Sequence, residues 1–253
     1  MTAPLPTPMD TPRVTPAAEW LHAFVPLGLQ EQETWTPCAA GVLVIDNPVV
    51  WLLTARRVLD ALEGRTVAAL FKGPEGRPLV LDLTTGRGAD GPLPWLRHPE
   101  LDLAALIVPI QPGWQVKAFT EARCLRLEEV EPLQRAGVVS AIYGLEGGGD
   151  PRPAALDGAI ARVDPERHEL LTSAPLLPRN AGAPLVVALP PQSGGGVSLA
   201  GVATHTIAVP EPLQSSAAPV RLTAAVSISA ALGLLRGQAG RAQRARALAA
   251  EGK

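Results

Sequence analysis

Residues 38–62 read CAAGVLVIDNPVVWLLTARRVLDAL. The stretch holds two apolar runs, Ala40 to Ile45 and Val49 to Thr54, separated by Asp46-Asn47-Pro48. Short runs rich in Val, Leu and Ile between turn residues read as strands. Asn tolerates left-handed geometry and Pro fixes φ, so the tripeptide predicts a hairpin turn. Behind the second run, Val58, Leu59 and Leu62 recur at helical spacing within Arg56 to Glu63, which predicts a short helix.

The same pattern continues outward. Further strands are predicted over Thr66 to Phe71, Leu79 to Leu83 and Leu103 to Val108. A second set follows at Val138 to Tyr143, Gly158 to Val163, Leu185 to Leu189, Leu199 to Ile207 and Thr223 to Ile228. Ser229 to Arg236 predicts the start of a closing helix, which the Ala/Arg-rich RAQRARALAA stretch of the tail extends. No internal repeat is visible. The two strand sets divide near residues 111–134, opened by Gln111-Pro112-Gly113. Residues 1–18, with five prolines in the first sixteen positions, read as an extended leader with too little apolar area to fold. The expected organisation is that leader, an N-terminal β unit over 19–115, a C-terminal β unit with its helix over 116–237, and a basic tail over 238–253.

Composition bounds the class. At 253 residues, 47% hydrophobic, the chain can bury a sizeable core as one or two domains. Aromatic residues are only 4%, so that core is built from Leu, Val, Ile and Ala. A net charge of −2 argues against a nucleic-acid-coating protein. Two cysteines, Cys38 and Cys124, exclude a disulfide scaffold, and no Cys/His cluster has zinc spacing. No apolar run approaches the ~18–20 residues of a membrane span, and the N-terminus holds no continuous apolar stretch of the ~7–15 residues a secretory signal needs, so a soluble, cytoplasmic protein is expected. No cofactor is implied. Histidine is scarce: His22, His98, His168 and His205 are all there are.

Three segments in order resemble the trypsin-like (chymotrypsin-fold) serine peptidase family in its compact bacterial form. Residues 38–62 are similar to the family's strand–turn–strand and the Leu-Thr-Ala-Ala-His that opens a short helix. ELDLAALIV, Glu100 to Val108, is similar to the strand that presents the triad aspartate. LLTSAPLLPRNAGAPLVV, Leu170 to Val187, is similar to the Pro-Gly-Asn-Ser-Gly-Gly-Pro nucleophile turn. LDGAIARVD, LAGVATHTI and VRLTAAVSISAALGLL resemble the flanking strands and C-terminal helix, so the likeness covers roughly residues 35–237. It implies an all-β fold of two six-stranded antiparallel barrels with a C-terminal helix and a cleft between them.

The chemistry that this resemblance implies needs a histidine base, an aspartate to orient it, a serine nucleophile and backbone donors for the oxyanion. The aspartate position is kept as Asp102, but the histidine position is Arg57 and the serine position Ala181. Arginine stays protonated and cannot act as a base at neutral pH, and alanine has no nucleophilic atom. Arg179 replaces the glycine of the oxyanion turn, Gly182 is kept, and Ala183 replaces the next glycine. Thr204-His205-Thr206 stands where the family commonly has Ser-Trp-Gly, placing Thr206 where glycine admits the substrate backbone. Arg57 facing Asp102 implies a bidentate ion pair that satisfies the aspartate, or alternatively an anion anchor in the cleft beside Arg179. Cys38 falls where secreted relatives hold half a disulfide, but the partner position is Val58, so Cys38 reads as a small buried hydrophobe.

The reading is a catalytically inactive homologue that binds a peptide or protein through its cleft, using Arg179, Asn180, Gly182, Thr204, His205 and Thr206. One alternative is an active hydrolase with a non-standard residue set, drawing on His98 or His205 with Ser173 or Thr172. Another is a regulatory subunit that binds through its termini. The tail carries Arg236, Arg241, Arg244, Arg246 and Lys253 against Glu251 and is expected to be solvated, the alternative being contact with an acidic partner, nucleic acid or membrane phosphate.

Overall fold

The computed structural model describes residues 21, 23–32, 34–84, 87–88, 91–92, 94–143, 151–189, 196–209 and 219–251. The expected leader over 1–18, His22 and Lys253 lie outside the described residues.

The first half carries β1 (Phe24–Glu31), β2 (Thr34–Asp46), β3 (Val49–Thr54), α1 (Arg56–Ala61), β4 (Val67–Lys72) and β5 (Pro78–Asp82). Then come β6 (Arg87–Gly88), β7 (Gly91–Pro92), β8 (Leu96–Arg97), β9 (Ala104–Ile107) and β10 (Phe119–Thr120). The second half carries β11 (Arg135–Ile142), β12 (Arg152–Asp164), β13 (Glu169–Thr172), β14 (Pro184–Ala188), β15 (Val197–Val209) and β16 (Val220–Ser227). Two helices close the chain, α2 (Ile228–Arg236) and α3 (Gln238–Glu251).

The hairpin of residues 38–62 forms as its turn chemistry demands. Asp46 pairs with Val49, leaving Asn47 and Pro48 as the turn, and α1 starts two residues after β3 ends. Strand β1 is the element that local pattern conceals, because Pro26 and Gly28 interrupt it. Gly28 sits at a register shift against β2, where a Cβ would lie 2.5 Å from the Trp35 ring. Pro26 sits one residue before the β4 ladder begins at Leu27. The interruption is therefore packing, and β1 becomes a central strand.

The second half is a closed barrel in the order β11-β12-β13-β16-β15-β14. The first half does not close among the described residues. Its sheet runs β5-β4-β1-β2-β3-β9-β8, with β10 added in parallel to β2. One closed barrel thus stands where two were expected. The return segment bears on the difference: Pro92 and Pro94, between β5 and β8, have no N–H to donate, and β8 is two residues long. One hydrophobic core nevertheless runs through both halves, from Trp51, Leu52 and Phe119 to Leu170, Leu185 and Leu199, and reaches Ala231 and Leu235 of α2.

The expected solvated tail is corrected. Residues 238–251 form α3, laid across the first half. Gln243, 3% exposed, donates to the Pro94 carbonyl at 2.8 Å, and Ala247 is buried. Arg244 pairs with Asp46, to which Arg236 also reaches at 3.7 Å. The partly buried Asp46 carboxylate, at the tip of the first hairpin, draws the basic helix inward. No helix among the described residues is long and apolar enough to cross a membrane.

Candidate functional site

The site begins at the end of β3. Ala55 is the extended residue before α1 and supplies no side-chain cap. That duty falls to Asp102, 45 residues after Arg57, whose Oδ1 accepts the Arg57 N–H at 2.8 Å. A carboxylate at a helix start satisfies an otherwise orphaned N–H. The other oxygen, Oδ2, accepts from Arg57 Nε. Asp102 therefore holds Arg57 twice, by main chain and side chain. Its own side chain is 18% exposed, against 49% for Arg57.

The second component is the turn at residues 178–183. Asn180, expected among the binding residues, is instead completely buried. Its Oδ1 accepts from the Ala141 N–H at 2.7 Å, and its Nδ2 donates to the carbonyls of Ala141 at 3.1 Å and Pro178 at 2.9 Å. With its side-chain amide fully engaged, it braces the turn against β11, and its main-chain N–H is the one polar group it can present to a ligand. Gly182 has φ +96°, and a Cβ there would lie 2.0 Å from the Ala40 carbonyl oxygen. Only glycine allows that approach. The Ala181 carbonyl accepts from the Ala40 N–H at 2.9 Å, and the Gly182 N–H donates to Ala203 at 2.7 Å. The turn is thereby fastened to both β2 and β15.

Arg179 adopts φ +63°, the left-handed geometry that a side chain resists. Among the described residues, the N–H groups of Arg179, Asn180 and Ala181 have no hydrogen-bond acceptor. Consecutive free N–H groups at such a turn can receive an anionic or carbonyl oxygen. Beside them, Ala181 offers a methyl group and no nucleophile.

The third component is β15. Thr204 is buried; its hydroxyl donates to the Ala224 carbonyl at 3.2 Å and exchanges a hydrogen bond with His205 Nδ1 at 2.8 Å. Like Asn180, it is a structural residue. His205 is half-buried and lies within the fields of Arg57 and Asp102. Burial pushes its pKa down, Arg57 pushes the same way, and Asp102 and Glu169 oppose them. Thr206 is exposed.

The remaining candidates for chemistry are committed elsewhere. His98 Nδ1 accepts the N–H groups of Glu100 at 3.2 Å and Leu101 at 3.0 Å, which holds the loop before Asp102. Burial lowers its pKa, and its carbonyl accepts from Arg56 at 2.7 Å. Thr172 Oγ1 donates to the Ala159 carbonyl at 2.9 Å, and Ser173 Oγ accepts the Ala159 N–H at 3.0 Å. Both are bonded to the edge of β12.

Sequence reading missed one cluster. Cys38, Tyr143 and Arg179 act on one another electrostatically, and the Tyr143 hydroxyl is buried without a partner. Burial raises the Cys38 thiol to about 11, with Arg65 and Arg179 pulling weakly the other way. The available signal was compositional: this is the chain's one tyrosine, at the end of a strand close to the turn that carries Arg179. Cys38 and Cys124 are both free thiols, as the sequence led one to expect. No group of three or more His, Cys, Asp or Glu among the described residues is placed to hold a metal ion.

No protein-family model matches the sequence, and no curated protein matches it either. What the site can do therefore rests on its own geometry. It presents the Ala181 methyl group, an arginine paired with a carboxylate, and, among the described residues, three N–H groups at positions 179–181 with no acceptor.

Proposed function

We propose that the chain is a catalytically inactive homologue of the trypsin-like serine peptidases, whose cleft between the two halves binds a peptide or protein without cleaving it. The observation that carries this reading is the seating of Arg57 on Asp102 by both Nε and N–H, with Ala181 on the adjoining turn. The frame is kept while the two atoms that would transfer a proton and attack a carbonyl are gone. Losing either from such a triad costs on the order of 10⁶-fold in turnover.

The electrostatics favour an acidic segment as the ligand. Arg57 uses Nε on Asp102, which leaves its terminal nitrogens for a second carboxylate, and Arg179 has no ion-pair partner among the described residues. The free N–H groups of 179–181 add donors for a peptide carbonyl or carboxylate.

Purified full-length protein is treated with a fluorophosphonate probe and with fluorogenic peptides, then panned against a displayed peptide library. The expected result is no labelling, no turnover, and acidic ligands whose binding is abolished by Ala181→Trp. Labelling that disappears on mutating a single Ser or Thr would overturn the proposal.

A further inference from the structure

A second concavity lies away from the Arg57–Asp102 site. It is a half-open cavity of about 380 Å³ between β1, β4, the connecting segment after Trp114 and the start of β12. Phe24, Leu70, Phe71 and Val116 give it an apolar wall, and Lys72 and Arg152 supply its two cations. Its size falls within the range of small-ligand sites, about 300–1,000 Å³.

The wall is held by structure on three sides. Phe24 and Phe71 belong to core strands and are nearly fully buried. Phe71 packs on Trp114 with ring centroids 5.2 Å apart. The Lys72 carbonyl accepts the Gln115 N–H at 2.7 Å, tying the connecting segment to β4.

The charges are one-sided. No aspartate or glutamate lines the cavity among the described residues. Glu75, the acid nearest Lys72 in sequence, is paired with Arg77 at 3.1 Å. Neither Lys72 nor Arg152 has an ion-pair partner among the described residues. They come from different halves of the molecule, two residues of β12 meeting strands β1, β4 and β5 of the first sheet at one opening.

We infer that this cavity is a binding site for a small amphipathic carboxylate, its apolar body against Phe24, Leu70, Phe71 and Val116 and its carboxylate between Lys72 and Arg152. Burial of the apolar body supplies most of the affinity, and the two exposed cations supply the selection for negative charge. The inference does not depend on what the Arg57–Asp102 cleft binds.

The test titrates decanoate, kept below its micelle concentration, into the full-length protein, followed by calorimetry and tryptophan emission. Saturable one-to-one binding is expected, with an emission change that Trp114→Phe removes. Lys72→Gln/Arg152→Gln should weaken binding about tenfold, in keeping with the loss of two exposed charge contacts. Decanol should bind correspondingly weakly, and Val116→Trp should fill the site and abolish binding. Absence of saturation, equal affinity for decanol, or unchanged affinity in the double variant would overturn the inference. So would decanoate binding that emerges only after removal of residues 1–18, since the chain's own leader would then be the occupant.

Discussion

Replacing each member of the Arg57–Asp102 pair separately should give unequal losses of stability, with the aspartate the more costly. The pair is asymmetric. Arg57 is half exposed, and its guanidinium makes one contact with Asp102. Exposed ion pairs are worth ~0.2–1 kcal/mol, whereas breaking a buried pair costs ~3–5 kcal/mol. In Arg57→Ala the carboxylate still accepts the residue-57 N–H and still faces a helix start, so the cost belongs near the lower figure, about 1 kcal/mol. Asp102→Ala removes both bonds at once. It also strips α1 of a side-chain acceptor at its first turn, since Ala55 provides none. A hydrogen bond to a charged group contributes ~1.5–3 kcal/mol and a lost N-cap costs ~0.5–2 kcal/mol; allowing for overlap, the expected loss is about 2–3 kcal/mol. Urea unfolding of the wild type, both single variants and the double variant closes a cycle, with an expected coupling of about 0.5–1 kcal/mol. If Arg57→Ala costs as much as Asp102→Ala, the capping role assigned to Asp102 is wrong, and a coupling indistinguishable from zero would remove the side-chain ion pair from the account.

Other perturbations have equally definite outcomes. Asn180→Ala leaves the N–H and C=O of Ala141 unpaired in the core and should cost about 3 kcal/mol by urea unfolding. Gly182→Ala combines a positive φ with a Cβ 2.0 Å from the Ala40 oxygen, so it should lose at least ~3 kcal/mol or fail to accumulate as folded protein. With the Cys38 thiol at about 11 and Cys124 at about 12, both raised by burial, Ellman's reagent at pH 8 should react about a hundredfold more slowly with the folded than with the unfolded chain. His98 and His205 have pKa values pushed below 6.5 mainly by burial, so the unfolded chain takes up protons that the folded chain refuses. Their stabilisation is complete above 6.5 and is lost as pH falls through the lower folded values; the urea midpoint should drop between pH 7 and 5, and His98→Gln/His205→Gln should reduce that drop.

What the sequence revealed follows from how local each signal is. The strand–turn–strand–helix of residues 38–62 is specified by neighbours: apolar alternation, a turn tripeptide and helical spacing all lie within one window. Strand β1 was hidden because Pro26 and Gly28 are locally unfavourable to strands, and their tolerance depends on Trp35 and the offset start of the β4 ladder. Helix α3 was legible as a helix but not as a docked one. Its two most buried positions, Gln243 and Ala247, make no apolar stripe, and its anchor Asp46 lies 198 residues away from Arg244. Closure of the first sheet was expected by likeness, yet the prolines that oppose it were in plain view. Counting donors along the return segment would have predicted the open edge.

The candidate site divides along the same line. Arg57 meeting Asp102 was legible only through the resemblance, which set the two positions facing each other; nothing local in the sequence joins residues 45 apart. The inward engagement of the Asn180 amide was not legible, because its partner, Ala141, lies 39 residues away on β11, and an asparagine at a turn offers no sequence sign of whether its amide faces solvent or core. The structural part of the turn explains how the site can keep its shape without its chemistry. Gly182 against Ala40, the Ala181 carbonyl on the Ala40 N–H, the Gly182 N–H on Ala203 and the Asn180 amide on Ala141 join the first sheet to the barrel. None of these contacts uses the side chain of residue 181, and Asp102 accepts the main-chain N–H of residue 57 whatever side chain stands there. The side chains at positions 57 and 181 can therefore be exchanged with little cost to the fold, and Arg179 shows that the turn also tolerates a side chain in the left-handed region. The shape of such a site is evidence for what it can hold; the atoms at 57 and 181 decide what it can do to it.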